Sequence, residues 1–322
     1  MSSRPLLRIL AVCLVLLAAG NLLLSRWSRS LSSHRAIDNL QQAPDSDLLF
    51  VGNSLLDGRV DSAALNQGAA SAGRTFRPLN AALSATDPHD QTFLAQYALW
   101  TQPHLHTLVV GFYDYQLTEE TRVTPADLLG NHGIALDERF PVRVVASIDH
   151  FSTAQTGELL LLRALPMAAN RVSFWKYAER LRYSMSRMGM PPEPPITMIR
   201  PWSYYNGEPR KFLEDPSHFN SSYEYVFGQA AKERMQVVLV LMPMSPLHSK
   251  VFYTRQLWQD YLVKLRDLAQ QRGFTFVDAS AWMPEDVQFE DALHMTKPAA
   301  TTFSFRLGAE LAAAQGSAKA GN

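Results

Sequence analysis

The sequence is poor in the features that mark several common protein classes. Its 322 residues hold one cysteine, Cys13, which lies in an apolar N-terminal stretch and leaves the body without a thiol for a disulfide, a redox pair or a thiolate metal site. It carries no excess of either charge, with 30 basic and 30 acidic residues. That balance argues against a nucleic-acid footprint, which needs a concentrated basic face. Internal repeats and low-complexity tracts are absent. What the chain does have is apolar substance: 47% of its residues are hydrophobic and 19% charged, enough for a sizeable core.

The first long apolar run is N-terminal. Leu6 to Leu24 is interrupted only by Arg8 and Asn21, with Arg4 ahead of it. A run of about 20 residues spans a bilayer, whereas a cleaved signal has a core of about 7 to 15. Ile9 to Gly20 alone fits a signal, with Ala18 and Gly20 as a small-residue cleavage site, and a cut there would leave Leu22, Leu23 and Leu24 exposed. Residues 1–28 therefore read as an anchor, with a cleaved signal and a secreted product as the alternative. Arg26, Arg29 and Arg35 on the far side weaken the charge bias that sets orientation. In either case the body is expected outside the cytoplasm, periplasmic or extracellular.

Residues 29–44 are polar and serine-rich, closed by Pro44, and read as a membrane-proximal linker with some helical character. From Asp45 the pattern changes. Short apolar runs at 47–52, 105–112, 235–243 and 274–280 look like strands buried on both faces. They alternate with helical patterns: Asp87 caps a helix with Pro88 at its first position, 257–273 is amphipathic and ends in Gly, and 298–314 opens on Pro. This alternation predicts an α/β three-layer sandwich around a short parallel sheet. Residues 45–314 form that domain, and 315–322 reads as a frayed tail. An insertion at about 116–222 holds helices over 156–188 and a Pro- and aromatic-rich stretch.

Ser54 follows the first strand in "VGNSLLDG", and two readings stand. It caps the next helix, as serines there commonly do, or it is a nucleophile at the strand's C-terminal end, where open parallel sheets place their sites. Asp291 and His294 stand three apart in "FEDALHM". A serine hydroxyl needs an imidazole to take its proton, and the imidazole needs a carboxylate to fix its tautomer. Gly68, in an N-x-G context fourteen positions after Ser54, offers a backbone N–H that can closely approach an oxyanion. A simple turn glycine is the plainer alternative.

Together, Gly52-Asn53-Ser54 and Asp291-x-x-His294 resemble the first and last blocks of the SGNH (GDSL-type) hydrolase superfamily. The resemblance covers roughly 45–115 and 223–314. It implies an SGNH/flavodoxin-like fold, with Ser54 as nucleophile, His294 as base, Asp291 as its orienting acid, and an oxyanion hole from Ser54 and Gly68. The third block, normally G-x-N-D, reads here Gly111-Phe112-Tyr113-Asp114, with Tyr113 where the oxyanion Asn is expected. A phenol can donate one hydrogen bond there. The anchored architecture is similar to membrane-anchored bacterial envelope members, including D-alanyl-lipoteichoic acid transfer proteins.

The function expected from this is a serine esterase or O-acyltransferase, most simply acetyl, acting on cell-envelope or secreted carbohydrate and needing no cofactor. The expected partners are an acylated carbohydrate or envelope polymer, the membrane through the N-terminal helix, and a membrane acyltransferase. The rival is a weak or inactive scaffold of the same fold that binds polysaccharide beside such an acyltransferase. A freely secreted lipase fits less well with an anchored body.

His104 and His106 share a face of an extended segment, but no third ligand is near, so no metal site is expected. His89, His132, His150, His218 and His248 are scattered and read as loop residues, and Asp57 and Asp61 as residues that cap or solvate a helix start. The aromatics at 200–207 and 221–227 either stack on sugar rings or pack the insertion. Arg200, Arg210 and Lys211 beside them either meet an acidic group or are solvated.

Overall fold

The computed structural model describes residues 4–28, 32–119, 123–125, 127–129, 133–165, 171–186, 188 and 216–320. The chain divides into two compact units: Met1–Asn39 with Arg122–Pro191, and Leu40–Thr121 with Pro192–Asn322.

The second unit is built on a five-stranded, all-parallel sheet in the order β2-β1-β3-β4-β5. The strands are β1 (Leu48–Val51), β2 (Pro78–Asn80), β3 (Thr107–Phe112), β4 (Gln236–Leu241) and β5 (Thr275–Asp278). Every residue of β1 and β3 is buried, and so are five of the six in β4. Successive side chains point to opposite faces, so this pattern requires helices on both sides of the sheet. β2 was not anticipated from sequence: it is three residues long, begins on Pro78, and lacks an apolar run.

Helices cover the sheet. In chain order they are α3 (Ser62–Ala70), α4 (Pro88–Thr101), α8 (Ser221–Lys232), α9 (Gln256–Gln271) and α10 (Lys297–Ala320). Asp87 caps α4 as expected, its side chain accepting from the Asp90 N–H with Pro88 in the first turn. α3 packs along α10 and α4 along α8. α8 leads into β4, so it is the crossover helix, and the long segment between β3 and β4 is inserted before it.

α10 runs on through the residues expected to fray. Ala312, Ala313 and Ala314 favour the helix, and the Gln315 side-chain amide donates to the Thr107 hydroxyl at 3.0 Å, anchoring it beyond that point.

The first unit contains α1 (Arg4–Ser28), α2 (Ser32–Gln42), which ends just past the unit's boundary, α5 (Val142–Ile148), α6 (Thr153–Ala164) and α7 (Arg171–Ser186). Leu7–Trp27 of α1, 21 residues of mean hydropathy 2.4, is long and apolar enough to cross a membrane; a signal sequence has the same character. The expected linker is mostly helix, because α2 has partners. His34 Nδ1 meets Asp137 at 2.7 Å, and Arg139 bridges Asp137 and Asp38 at 2.8 and 2.5 Å. Burial works to raise the Asp137 carboxyl, but its hydrogen bonds to Arg139 and His34 outweigh that and hold it well below the carboxylate range. Arg163 of α6 donates to the Phe140 and Ala135 carbonyls at 2.5 and 2.7 Å, fastening the helix to the same turn.

Candidate active site

Ser54 sits in a tight turn made by its neighbours. The Asn53 side chain accepts from the Leu55 N–H at 3.0 Å, and the Asn53 carbonyl accepts from Leu56 and Asp57. Leu56 lies across the sheet edge where β1 and β3 end. A Cβ on Gly52 would stand 2.9 Å from the Leu56 Cδ1, and one on Gly111 2.5 Å from it. Those two glycines make room for the leucine that seats the turn.

The turn is also tied sideways. The Asn53 amide nitrogen donates to Gln116 at 3.4 Å, and Asp57 accepts from both the N–H and the hydroxyl of Ser84. Asp61, not Ser54, caps the following helix, accepting from Ala63 and Ala64 at 3.0 Å. The Ser54 hydroxyl is thereby left for another partner.

That partner is His294, whose Nε2 lies 2.8 Å from the Ser54 Oγ although the two residues are 240 positions apart. His294 Nδ1 lies 2.7 Å from Asp291 Oδ2, while Asp291 Oδ1 accepts from the Leu293 and His294 N–H groups at 2.8 Å each. With Nδ1–H donating to the carboxylate, Nε2 is the bare nitrogen that accepts the serine proton. Burial pushes the Asp291 carboxyl up, but these N–H bonds and the imidazole outweigh it and leave it below its ordinary value. The carboxyl is therefore ionised throughout the neutral range. The Asp291 and His294 side chains keep 33% and 26% of their exposure, so the cluster is open to solvent.

The chain is similar to bacterial acylhydrolases. A putative acylhydrolase from Bacteroides fragilis matches at 10% identity and TM-score 0.42, over 90% of this chain and 98% of its own. A lipase/acylhydrolase from Enterococcus faecalis matches at 10% and 0.41, over 83% and 96%. A GDSL-like lipase from Bacteroides thetaiotaomicron matches at 9% and 0.40, over 88% and 98%. No family model matches the sequence, and no curated protein does. Scores of this size mark a distant likeness, and the chemistry of the site rests on its own atoms.

Gly68 is not part of this cluster. It lies buried within α3, where its N–H serves the helix ladder, and a Cβ on it would stand 1.9 Å from the Phe305 carbonyl oxygen of α10. Gly308 of α10 repeats the contact from the other side, 1.9 Å from the Leu65 carbonyl. Gly68 therefore lets two helices touch backbone to backbone, and its assignment to an oxyanion hole is corrected. Among the described residues, no acceptor engages the Ser54 N–H, which stays available. Tyr113 is half-buried at the end of β3, next to Asp114, whose φ of 50° turns the chain sharply.

Arg59 was not singled out from sequence. Its guanidinium holds both oxygens of Glu290 at 3.0 and 2.9 Å and donates to the Met295 carbonyl, spanning the loop that carries Asp291 and His294. A Phe289–Met295 bridge and a Glu290 N–H to His294 carbonyl bond close that loop. Only the tertiary fold could reveal this partner, because Arg59 and Glu290 lie 231 positions apart.

A second Asp–His pair lies beside β3 and β4. His248 Nε2 meets Asp114 Oδ1 at 3.0 Å, and the Tyr253 hydroxyl donates to the same oxygen at 3.1 Å. The Ser245 hydroxyl accepts from the His248 N–H, and the Ser245 N–H donates to the Ala292 carbonyl in the Asp291–His294 loop.

Among the described residues, Asp87, His89 and Asp90 bring one ligand-type atom each within 4.8 Å of one another. Burial foremost, and Asp87 beside it, push the Asp90 carboxyl up to about 7. The aromatics of 221–227 pack inward: Tyr223 and Phe227 are buried, and the Tyr223 hydroxyl bonds Gln91 at 2.6 Å. His132, Arg200, Arg210, Lys211 and the 200–207 aromatics lie outside the described residues.

Proposed function

We propose that the chain is a serine esterase or O-acyltransferase that works through an acyl-Ser54 intermediate. The observation that carries this reading is the continuous chain Ser54 Oγ, His294 Nε2, His294 Nδ1, Asp291, with links of 2.8 and 2.7 Å. Ser54 Oγ attacks the ester carbonyl carbon as its proton passes to His294 Nε2. Collapse of the tetrahedral adduct breaks the bond to the leaving alcohol, which takes that proton. Water or a carbohydrate hydroxyl then attacks the acyl-serine, with His294 again as base, and frees Ser54. Asp291 holds the imidazole tautomer throughout. In this reading the Ser54 N–H is the oxyanion donor.

The membrane-crossing length of α1 supports an acceptor or donor in the cell envelope, an acetylated carbohydrate polymer being the substrate that fits the sequence resemblance. The deciding experiment is fluorophosphonate labelling of the full chain in detergent, followed by acetate release from an aryl acetate. Labelling at Ser54 that is lost in Ser54→Ala and in His294→Ala is the expected result. A folded chain that neither labels nor turns over would make the site a carbohydrate-binding scaffold instead.

A further inference from the structure

The first unit exposes apolar side chains that its own packing does not use. In α6, Leu159 and Leu162 are buried, yet Leu160 and Leu161 between them are 52% and 58% exposed. A helix apolar on both faces needs a second cover. α7 continues the pattern, with Trp175, Leu181, Tyr183 and Met185 all more than half exposed. Among the described residues of the second unit, by contrast, the exposed large apolar side chains, Trp100, Leu247, Val263, Val287 and Phe305, stand singly along the sequence.

Covalent geometry says what lies nearby. α1 ends at Ser28 and α2 begins at Ser32, a gap that an extended chain covers in at most about 14 Å. From α2 the ties run without interruption: His34 and Asp38 to the 137–139 turn, and Arg163 of α6 to the carbonyls of that turn and its neighbours. If α1 crosses a bilayer, α6 is fastened to a helix that starts within a short reach of the lipid surface. The composition suits that surface, since residues 153–186 carry five basic against two acidic side chains together with Trp, Tyr, Leu and Met. Interfacial helices combine these features, with amphipathic aromatics at headgroup depth and cations for anionic lipid.

We propose that the exposed faces of α6 and α7 lie on the membrane, in the headgroup layer of a bilayer containing anionic lipid. The inference rests on α1 being an uncleaved span, and its test separates the two. In the full chain, Cys13, exposed on α1, is the sole native cysteine and reports the span when labelled with an environment-sensitive fluorophore. In a Cys13→Ser background, Leu161→Cys and Met185→Cys report the docking face, and Val287→Cys, 77% exposed on the second unit, is the control.

In vesicles of phosphatidylcholine with phosphatidylglycerol, spin-labelled lipids are expected to quench the probes at 161 and 185 several-fold more than the probe at 287. Salt, or omission of phosphatidylglycerol, is expected to weaken that quenching. Deep quenching at Cys13 with 161 and 185 no different from 287 overturns the docking while the span stands. Absence of quenching at Cys13 removes the span and the docking with it. Shielding at 161 and 185 in native membranes but not in protein-free vesicles also overturns it, in favour of a membrane-protein partner.

Discussion

Two Asp–His pairs in the sheet-bearing unit use the same chemical groups for opposite ends. Asp291 and His294 keep 33% and 26% of their side-chain exposure, and the imidazole's outer nitrogen faces the Ser54 hydroxyl. Asp114 and His248 keep 3% and 1%, and among the described residues no hydrogen bond reaches the other, buried nitrogen of His248. One imidazole has somewhere to take a proton from and somewhere to send it. The other is sealed, and its pair pins the turn after β3 to the segment after β4. An Asp–His pair is thus made reactive by what stands beyond it and by access to solvent. The two pairs are also joined, because Ser245 bonds His248 on one side and Ala292 on the other.

The contrast breaks first at Asp291. Asp291→Asn leaves the shape but favours the wrong imidazole tautomer, and turnover of an aryl acetate is expected to fall by about 10²–10⁴-fold with folding intact. An unchanged rate would place His294 outside the chemistry. His248→Ala should do the reverse: it removes one of the hydrogen bonds of the buried Asp114 side chain, leaving the Tyr253 hydroxyl on it, at a cost of about 1–3 kcal/mol in denaturant unfolding. Fluorophosphonate labelling per folded molecule should stay within a few-fold of the parent. Loss of labelling in that folded variant would make the sealed pair part of the reaction.

A buried acid of another kind sharpens the comparison. Asp90, raised from 3.8 to about 7, keeps a proton in the folded state that the unfolded chain has released. The contribution of Asp90 to stability should therefore be full below about pH 4 and decline as pH rises towards 7, a component that Asp90→Asn removes when melting temperatures of the two proteins are compared between pH 4 and 7. The smallest effect is expected at Arg59, which positions the histidine loop without touching a reacting atom. Arg59→Ala should lower kcat about tenfold while leaving KM nearly unchanged, since a small misplacement of the base costs rate rather than binding.

Much of this arrangement was legible in the residues. The apolar runs around Leu48, Leu108, Val237 and Phe276 announced a parallel sheet, although the last is only half-buried, and Asp87-Pro88 announced a helix start. β2 escaped because three residues with a leading proline carry no periodicity. The order of Ser54, Asp291 and His294 along the chain pointed to the cluster, but their hydrogen bonds depend on a fold that brings together positions 240 apart. Gly68 misled because its N-x-G context resembles the block that supplies an oxyanion N–H, whereas its reason for being glycine is Phe305 on another helix. His248 passed as a loop residue because Asp114 lies 134 positions away. Local signals reveal what neighbours in sequence decide, and these side chains answer to neighbours in space.

The glycine contact between α3 and α10 has a bearing on how this site can fail. The serine turn runs through Asp61 into α3, and the histidine loop runs directly into α10, where Thr301 and Ser304 reach back to Asp61 at 3.0 and 2.9 Å. The gap between Ser54 and His294 is therefore tied to how closely two helices can lie together. A single added methyl at Gly68 or Gly308 would meet a backbone carbonyl oxygen at 1.9 Å and wedge the helices apart. The positions least tolerant of drift include two that carry no reactive group, so the Ser54–His294 contact can be lost there with Ser54, His294 and Asp291 all still in the sequence.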